Sequence, residues 1–325
     1  MNGLTIVQPG MFTTVQDLGR AGHHHLGIAT SGAADTLSLR IGNRLVGNHD
    51  NAAALEFTLL GGTLRCASNV LVALTGAPLV ASYAAPGGGT EALPRASAIH
   101  LRAGTTLRLG GSPWGVRAYL CVHGGIDMPV VLGSRSTHAT SQLGGLDGRT
   151  LRAGDHLPLA RAQPHAYARA LPPATLAALD AMQRTPTLRA TDTAHTSSFT
   201  AAARSQFFSA PWHVTDRCDR AGIRLQGPAI VPPGGGKLAS QGLPLGAVEI
   251  PSAGEAIILL GDGPPTGGYP TLCCVASVDH PRLGQLRPRE SISFMHISFA
   301  EARALFAAQQ AWLDRAVPRP SGTDP

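Results

Sequence analysis

Apolar runs in this chain are short, and most of them stop at glycine or proline. The most apolar stretch, residues 70–85, is itself broken by Thr75, Gly76 and Pro78. A bilayer span needs about 20 apolar residues in succession, so this stretch is not one. With 39 glycines, 25 prolines and only 14% charged residues, such punctuation implies many turns between short strands. Leu4-Thr5-Ile6-Val7, stopped by Pro9-Gly10, is typical, and similar runs stand at 70–74, 98–101, 105–109, 117–122 and 156–159. Arg102-Ala103-Gly104 and Arg152-Ala153-Gly154-Asp155 each precede a strand, like tight hairpin entries in which glycine supplies a positive φ. The spacing predicts a mainly β chain with a few helices (α+β), built from barrels or sandwiches rather than βαβ units.

A few segments carry the helical period instead. Asp35 is placed as the N-cap of a helix in which Leu37, Ile41 and Leu45 recur every four residues, ended by Gly47-Asn48. Leu176, Leu179 and Met182 mark one face of a helix over 173–182. Further helices are expected over 199–208 and 298–313, the last capped at or beside Ser298. The length of 325 residues suggests two lobes. The expected division is a β-rich lobe with Gly-rich motif loops over 1–160 and a partly helical connection over 161–210. A second β-rich lobe with the C-terminal helix covers 211–315, and a Pro-rich tail covers 316–325.

The net charge is +6, carried almost entirely by arginine, with Lys237 the single lysine. Basic residues are not clustered or interleaved with aromatics, so no nucleic-acid partner is expected. The five cysteines, Cys66, Cys121, Cys218, Cys273 and Cys274, are odd in number and lack CxxC spacing. That predicts neither a disulfide framework nor a structural zinc and suits a reducing cytosol. The opening MNGLTIVQPG has no basic n-region, so a cytoplasmic protein with no membrane role is expected.

Four polar clusters are candidates for chemistry. In the first, Asp17, Arg20 and Asp35 lie on Gly-rich turns around His23-His24-His25. On the residues alone a loop-stabilising Asp–Arg pair is the simpler reading, and adjacent histidines diverge, so no metal site is expected. In the second, Asp127 precedes Gly133-Ser134-Arg135-Ser136-Thr137. Backbone N–H groups, hydroxyls and a guanidinium together suit a carboxylate, phosphate or carbonyl oxygen, or simply build a polar turn. In the third, Asp219 and Arg220 precede an alternating strand, which a surface ion pair explains. The fourth joins Asp262 to Thr266-Gly267-Gly268-Tyr269, where paired glycines permit close backbone approach to a ligand or form a stiff turn. Gly234-Gly235-Gly236-Lys237-Leu238 lacks the spacing and the Ser/Thr of a phosphate loop, and there is no Gly-x-Ser-x-Gly elbow.

In order, TTVQDLGR, HLG, SGAAD, NRLVGN, AALEFTL, LTGAP, AYLCVHGGID, LGSRST, GLDGRTLRAGD, CDRAGIRLQGP and TGGYP extend from about Leu4 to about Leu305. This series resembles the carboxyltransferase-type family that includes the C subunit of 5-oxoprolinase, the second half of urea amidolyase, and the antagonist of a sporulation kinase inhibitor. The resemblance implies a cyclophilin-like β architecture. It implies a small-molecule substrate and work beside 5-oxoprolinase subunits B and A, opening 5-oxoproline to glutamate with ATP and Mg shared with a partner. Alternatives are a carboxyltransferase dependent on biotin carried by another chain, or a regulatory subunit that sequesters a partner. Carried over by motif, Asp17, Glu56 and Arg135 are the expected catalytic residues. Arg20, Asp35, Asp127, Ser136, Thr137, Asp219, Arg220, Asp262, Thr266, Gly267, Gly268 and Tyr269 are expected to hold substrate or anion. The sequence departs from the family at 190–194, at Ala221 and at Gly263-Pro264-Pro265, all in the second half.

Overall fold

A computed structural model describes residues 2–160 and 169–320. Two compact units emerge. Among the described residues, one comprises 2–20, 31–160, 169–181 and 312–320, the other 21–30 and 182–311.

The first unit encloses one core between two sheets. A six-stranded sheet runs in the order His156–Pro158, Gly3–Gln8, Thr63–Cys66, Thr106–Leu109, Ala81–Ala84, Thr90–Ala92. A five-stranded sheet runs Phe12–Gln16, Ala54–Thr58, Arg117–Val122, Val70–Gly76, Ala98–Leu101. Leu4, Ile6, Leu64 and Leu107 from the first meet Leu55, Phe57, Val72, Leu74 and Leu120 from the second. The helix Thr36–Leu45 packs on the other side of the strands Val70–Gly76 and Arg117–Val122. This is why those strands are buried on both faces and read as continuous apolar runs instead of alternating. Asp35 caps the helix as expected, accepting from Ser38 N at 2.9 Å and from Ser38 Oγ at 2.7 Å.

The second unit is a closed seven-stranded barrel. Around it run Thr187–Thr191, Thr271–Val275, Ala247–Glu249, Ala256–Leu259, Gly222–Gln226, Trp212–Cys218 and Ser291–His296. The last strand returns to the first as a parallel pair, Thr187 to Ser293 through Ala190 to His296, while the other pairings are antiparallel. The mainly β expectation with a few helices therefore holds.

The segment 161–210 is more than a connection. Residues 161–168 lie outside the described residues, as do 321–325 of the Pro-rich tail. The helix Pro173–Arg184 lies where a helix was expected. But Thr187–Thr191 is a wall of the barrel, with Leu188 and Ala190 facing its core. Its Thr-Leu-Arg-Ala-Thr composition hides the in–out alternation behind small and polar residues. The helix Ala201–Ser209, capped by Thr200, also belongs to the barrel unit and buries Ala203 and Phe207. The helix Phe299–Ala316 starts with a capping box: Ser298 N donates to Glu301 Oε2 at 2.8 Å and Glu301 N to Ser298 Oγ at 3.2 Å.

Phe207 anchors the barrel core, with its ring centroid 4.6 Å from Phe294 and 5.1 Å from Trp212. Its carbonyl accepts from Trp212 Nε1 at 3.0 Å. Phe207→Ala removes a fully buried ring, and its expected cost is about 3–5 kcal/mol. Chemical unfolding followed by fluorescence of the neighbouring Trp212 checks this, and an unchanged midpoint would remove Phe207 from that role.

Candidate active site

In the first unit the turn at 133–137 is built on the carboxylate of Asp17, which is buried. Ser134 Oγ and Ser136 Oγ each donate to Asp17 Oδ1 at 2.6 Å, and Gly19 N donates to the same oxygen at 2.8 Å. Arg135 N donates to Oδ2 at 2.6 Å. The Ser136 hydroxyl in turn accepts from Asp17 N at 2.9 Å. Arg20, also buried, donates through Nη2 to the Ser136 carbonyl oxygen. Thr137 binds back to the strand Phe12–Gln16, its N and Oγ1 reaching the Val15 carbonyl at 2.9 and 3.0 Å. Gly145 closes the turn from behind: at φ +55°, a Cβ there would stand 1.9 Å from Thr137 Oγ1.

The consequence is a division of labour. Asp17 and Ser136 are committed to each other and Thr137 to the Val15 carbonyl, and all three are buried, so they fix the loop. The Arg135 side chain is what the loop holds out, about a third exposed. Its Nε donates to the Met128 carbonyl at 2.8 Å, and Nη2 lies 3.3 Å from Oδ1 of exposed Asp127. A guanidinium with its backbone pinned and its outer edge in solvent can take a carboxylate or phosphate by two parallel hydrogen bonds.

Glu56 and Asp35 meet through a residue that the motif reading passed over. Tyr119 accepts from Asp35 N at 2.8 Å and donates to Glu56 Oε2 at 2.7 Å, an oxygen that also accepts from Ala34 N at 2.9 Å. Arg117 Nε lies 3.4 Å from Glu56 Oε1. Burial, with Glu56 and Asp35 nearby, holds the Tyr119 hydroxyl well above its ordinary pKa, so it stays protonated and donates. A tyrosine standing alone in Ala118-Tyr119-Leu120-Cys121-Val122 was the available signal.

In the second unit Arg220 grips Asp262 with two bonds, Nε to Oδ2 at 2.8 Å and Nη2 to Oδ1 at 3.1 Å. Exposed Asp219 folds its own turn, accepting from Ala221 N at 2.7 Å and Gly222 N at 3.1 Å. The Thr266–Gly267 strand pairs with Gln241–Gly242, and Gly268 with exposed Tyr269 follows it. Among the described residues no group of three or more His, Cys, Asp or Glu is gathered as a metal site, and no helix is long and apolar enough to cross a membrane.

Comparison with known proteins agrees with this architecture. A family model described as carboxyltransferase domain, subdomain A and B, matches residues 26–296. The chain is 35% identical over 312 residues to the C subunit of 5-oxoprolinase from Escherichia coli (strain K12), covering 96% of this chain and 97% of that protein. It is 34% identical to urea amidolyase of Lachancea kluyveri over 95% of its own length but 18% of that larger protein. Its fold superposes on the crystal structure of K. lactis urea amidolyase with a TM-score of 0.85 and 31% identity, covering 96% of this chain and 20% of that one. With a family match across most of its length and a full-length relative of this similarity, the chain belongs to the carboxyltransferase domain family, subdomains A and B.

Proposed function

We propose that the chain acts as the C subunit of a 5-oxoprolinase-type enzyme, joining partner subunits A and B to open 5-oxoproline to glutamate with hydrolysis of ATP. The observation that carries this reading is the end-to-end match to the E. coli C subunit, 96% of one chain on 97% of the other. The urea amidolyases match as one part of a longer chain.

The chemistry gives the residues their parts. A lactam carbonyl is a poor electrophile, and transfer of the γ-phosphoryl group of ATP to its oxygen activates the carbon: water adds, the C–N bond breaks with the water's protons passing to the ring nitrogen, and a second water hydrolyses the resulting acyl phosphate to glutamate and inorganic phosphate. Such a reaction needs the ring carboxylate held and the new phosphate charge neutralised. Arg135 is suited to the first of these, with Asp127 limiting how its guanidinium swings. Asp17, Arg20, Ser136 and Thr137 position it. Glu56, Tyr119 and Asp35 hold the 33–35 turn, and Asp17 and Glu56 serve as orienting carboxylates. In the second unit the Arg220–Asp262 pair fixes the 219–222 turn, which Asp219 folds, and Thr266, Gly267, Gly268 and Tyr269 form a separate turn suited to an anion. ATP with Mg is shared with a partner subunit.

A second reading rests on the match to urea amidolyase and its relatives. The same scaffold would then transfer a carboxyl group from biotin carried on another chain. Copurification with the products of neighbouring genes, followed by assay of glutamate release dependent on both ATP and 5-oxoproline, separates the two. Turnover supports the first reading. Its absence, with carboxyl transfer from a biotinylated partner, supports the second, and tight association with neither activity would make the chain a regulatory subunit.

In the assembled enzyme, Arg135→Ala is expected to raise KM for 5-oxoproline about tenfold or more, because it loses one charge-assisted contact and leaves the loop standing. Wild-type KM would remove Arg135 from substrate binding. Asp17→Ala strands the Ser134 and Ser136 hydroxyls with two backbone N–H groups. It is expected to cost about 3 kcal/mol of stability and most of the turnover. Thermal unfolding and steady-state kinetics on one preparation check both effects.

A further inference from the structure

The two sheets of the first unit differ on their outer sides. The helix Thr36–Leu45 packs on the five-stranded sheet. The six-stranded sheet instead turns outward a set of polar side chains, two of which are exposed arginines. Register sets Arg65 opposite Thr106 and Arg108 opposite Thr63, so the two arginines share one face as diagonal neighbours, their Cα atoms about 7–8 Å apart. Their partners on the next strands out, Thr5 beside Arg65 and Ser82 beside Arg108, are uncharged. Among the described residues neither arginine has an ion pair. The acids of the adjoining hairpins are engaged elsewhere: Glu91 accepts from the Tyr83 hydroxyl at 2.7 Å, and Asp155 is held by Arg149.

An apolar groove adjoins the same face. It has a volume of about 480 Å³, and Arg108 lines it together with Met11, Leu60, Val80, Gly61 and Gly62. The two glycines are buried and bring the strands close: a Cβ on Gly62 would stand 2.1 Å from the Gln8 carbonyl oxygen, and one on Gly61 2.4 Å from Leu109 Cβ. The rim is the opposite, with Met11 63% and Val80 76% exposed. Leu60, also exposed, is held by a strained turn. Its N donates to the Thr58 carbonyl at 2.7 Å across Leu59, which sits at φ +61°, the rarer form of a three-residue turn.

Each half of this surface narrows what can cover it. A small anion would use the arginines and leave the groove empty. A single nucleic-acid strand would find no aromatic ring among these residues on which to stack its bases. A second copy of the chain, docked about a two-fold axis, would set Arg65 and Arg108 against another pair of arginines. A protein segment that carries carboxylates beside an apolar side chain satisfies both halves.

We propose that this face is where the chain docks a partner subunit, through an acidic segment that also bears an apolar side chain. The inference rests on the reading that the chain works beside partner subunits. Carboxylates of the partner pair with Arg65 and Arg108, and the apolar side chain enters the groove between Met11, Leu60 and Val80. The arginines guide the approach and set the register, while the groove supplies the contact that slows release. Because the groove is built on sheet backbone already paired, little has to be ordered when the partner arrives.

The test measures binding of the full chain to purified subunits A and B, each alone and together. Arg65→Glu combined with Arg108→Glu is expected to weaken binding about tenfold or more at low salt, and Val80→Asp to weaken it by a similar factor. Arg65→Lys combined with Arg108→Lys keeps the charge and is expected to stay nearer wild type. All the altered positions are exposed, and an unchanged thermal midpoint verifies the fold. At saturating partner the kcat of the charge-reversed assembly is expected to match wild type. Binding of both the charge-reversed chain and Val80→Asp within about twofold of wild type would show the inference wrong. So would a chain that self-associates through this face, with Val80→Asp abolishing the self-association, or a wild-type chain that binds neither subunit. Affinity lost in these variants supports the inference whether or not the assembly opens 5-oxoproline, and that turnover alone decides the lactam-opening reading.

Discussion

One buried carboxylate organises the functional loop of the first unit. Asp17 sits at the end of a strand, where its backbone is already fixed by the sheet, and it collects donors from four residues of two turns. An ionised acid out of water is costly unless its lone pairs are filled. Here two seryl hydroxyls and two backbone N–H groups fill them, so the charge and the loop stabilise each other. Everything the loop displays, the Arg135 guanidinium above all, takes its position from that arrangement.

The same device recurs with arginine as the fork. Arg220 grips Asp262 across two turns, Arg149 holds Asp155 with two bonds, and Arg44, fully buried, binds both oxygens of Asp50 together with Asp314 and the Val317 carbonyl. Each pair closes a turn or ties a chain end to a helix. An ammonium could not reproduce the planar two-point contacts, which gives the near-absence of lysine in this chain a structural use. These pairs also explain why most of the charged motif residues carry structure before they carry chemistry.

Much of the architecture was legible because its strands are short, apolar and bounded by glycine or proline, and because Asp35 and Ser298 announce their helices. The barrel strand Thr187–Thr191 was not, since Ala and Thr replace the branched residues that make alternation visible. At the first site the residue types were legible and their orientations were not. Ser136 and Thr137 look like ligands in a Gly-Ser-Arg-Ser-Thr run, yet they turn inward to Asp17 and Val15, because which hydroxyl faces solvent depends on a strand more than a hundred residues away in sequence. Tyr119 left a fainter mark, a single hydroxyl-bearing residue inside an apolar strand. That pattern gains meaning only once the sheet shows what stands beside it.

The barrel seam sets an order on how this unit is made. Thr187–Thr191 is synthesised early and pairs in parallel with Ser291–His296, about a hundred residues later. Loop-closure entropy for such a distant partner must be met before the contact returns anything. Until the ribosome has released the last strand, Leu188 and Ala190 have one neighbouring strand fewer, and the edge they belong to stays open. A nascent chain therefore carries an unsealed sheet through most of its second half, and its final strand works as the lock.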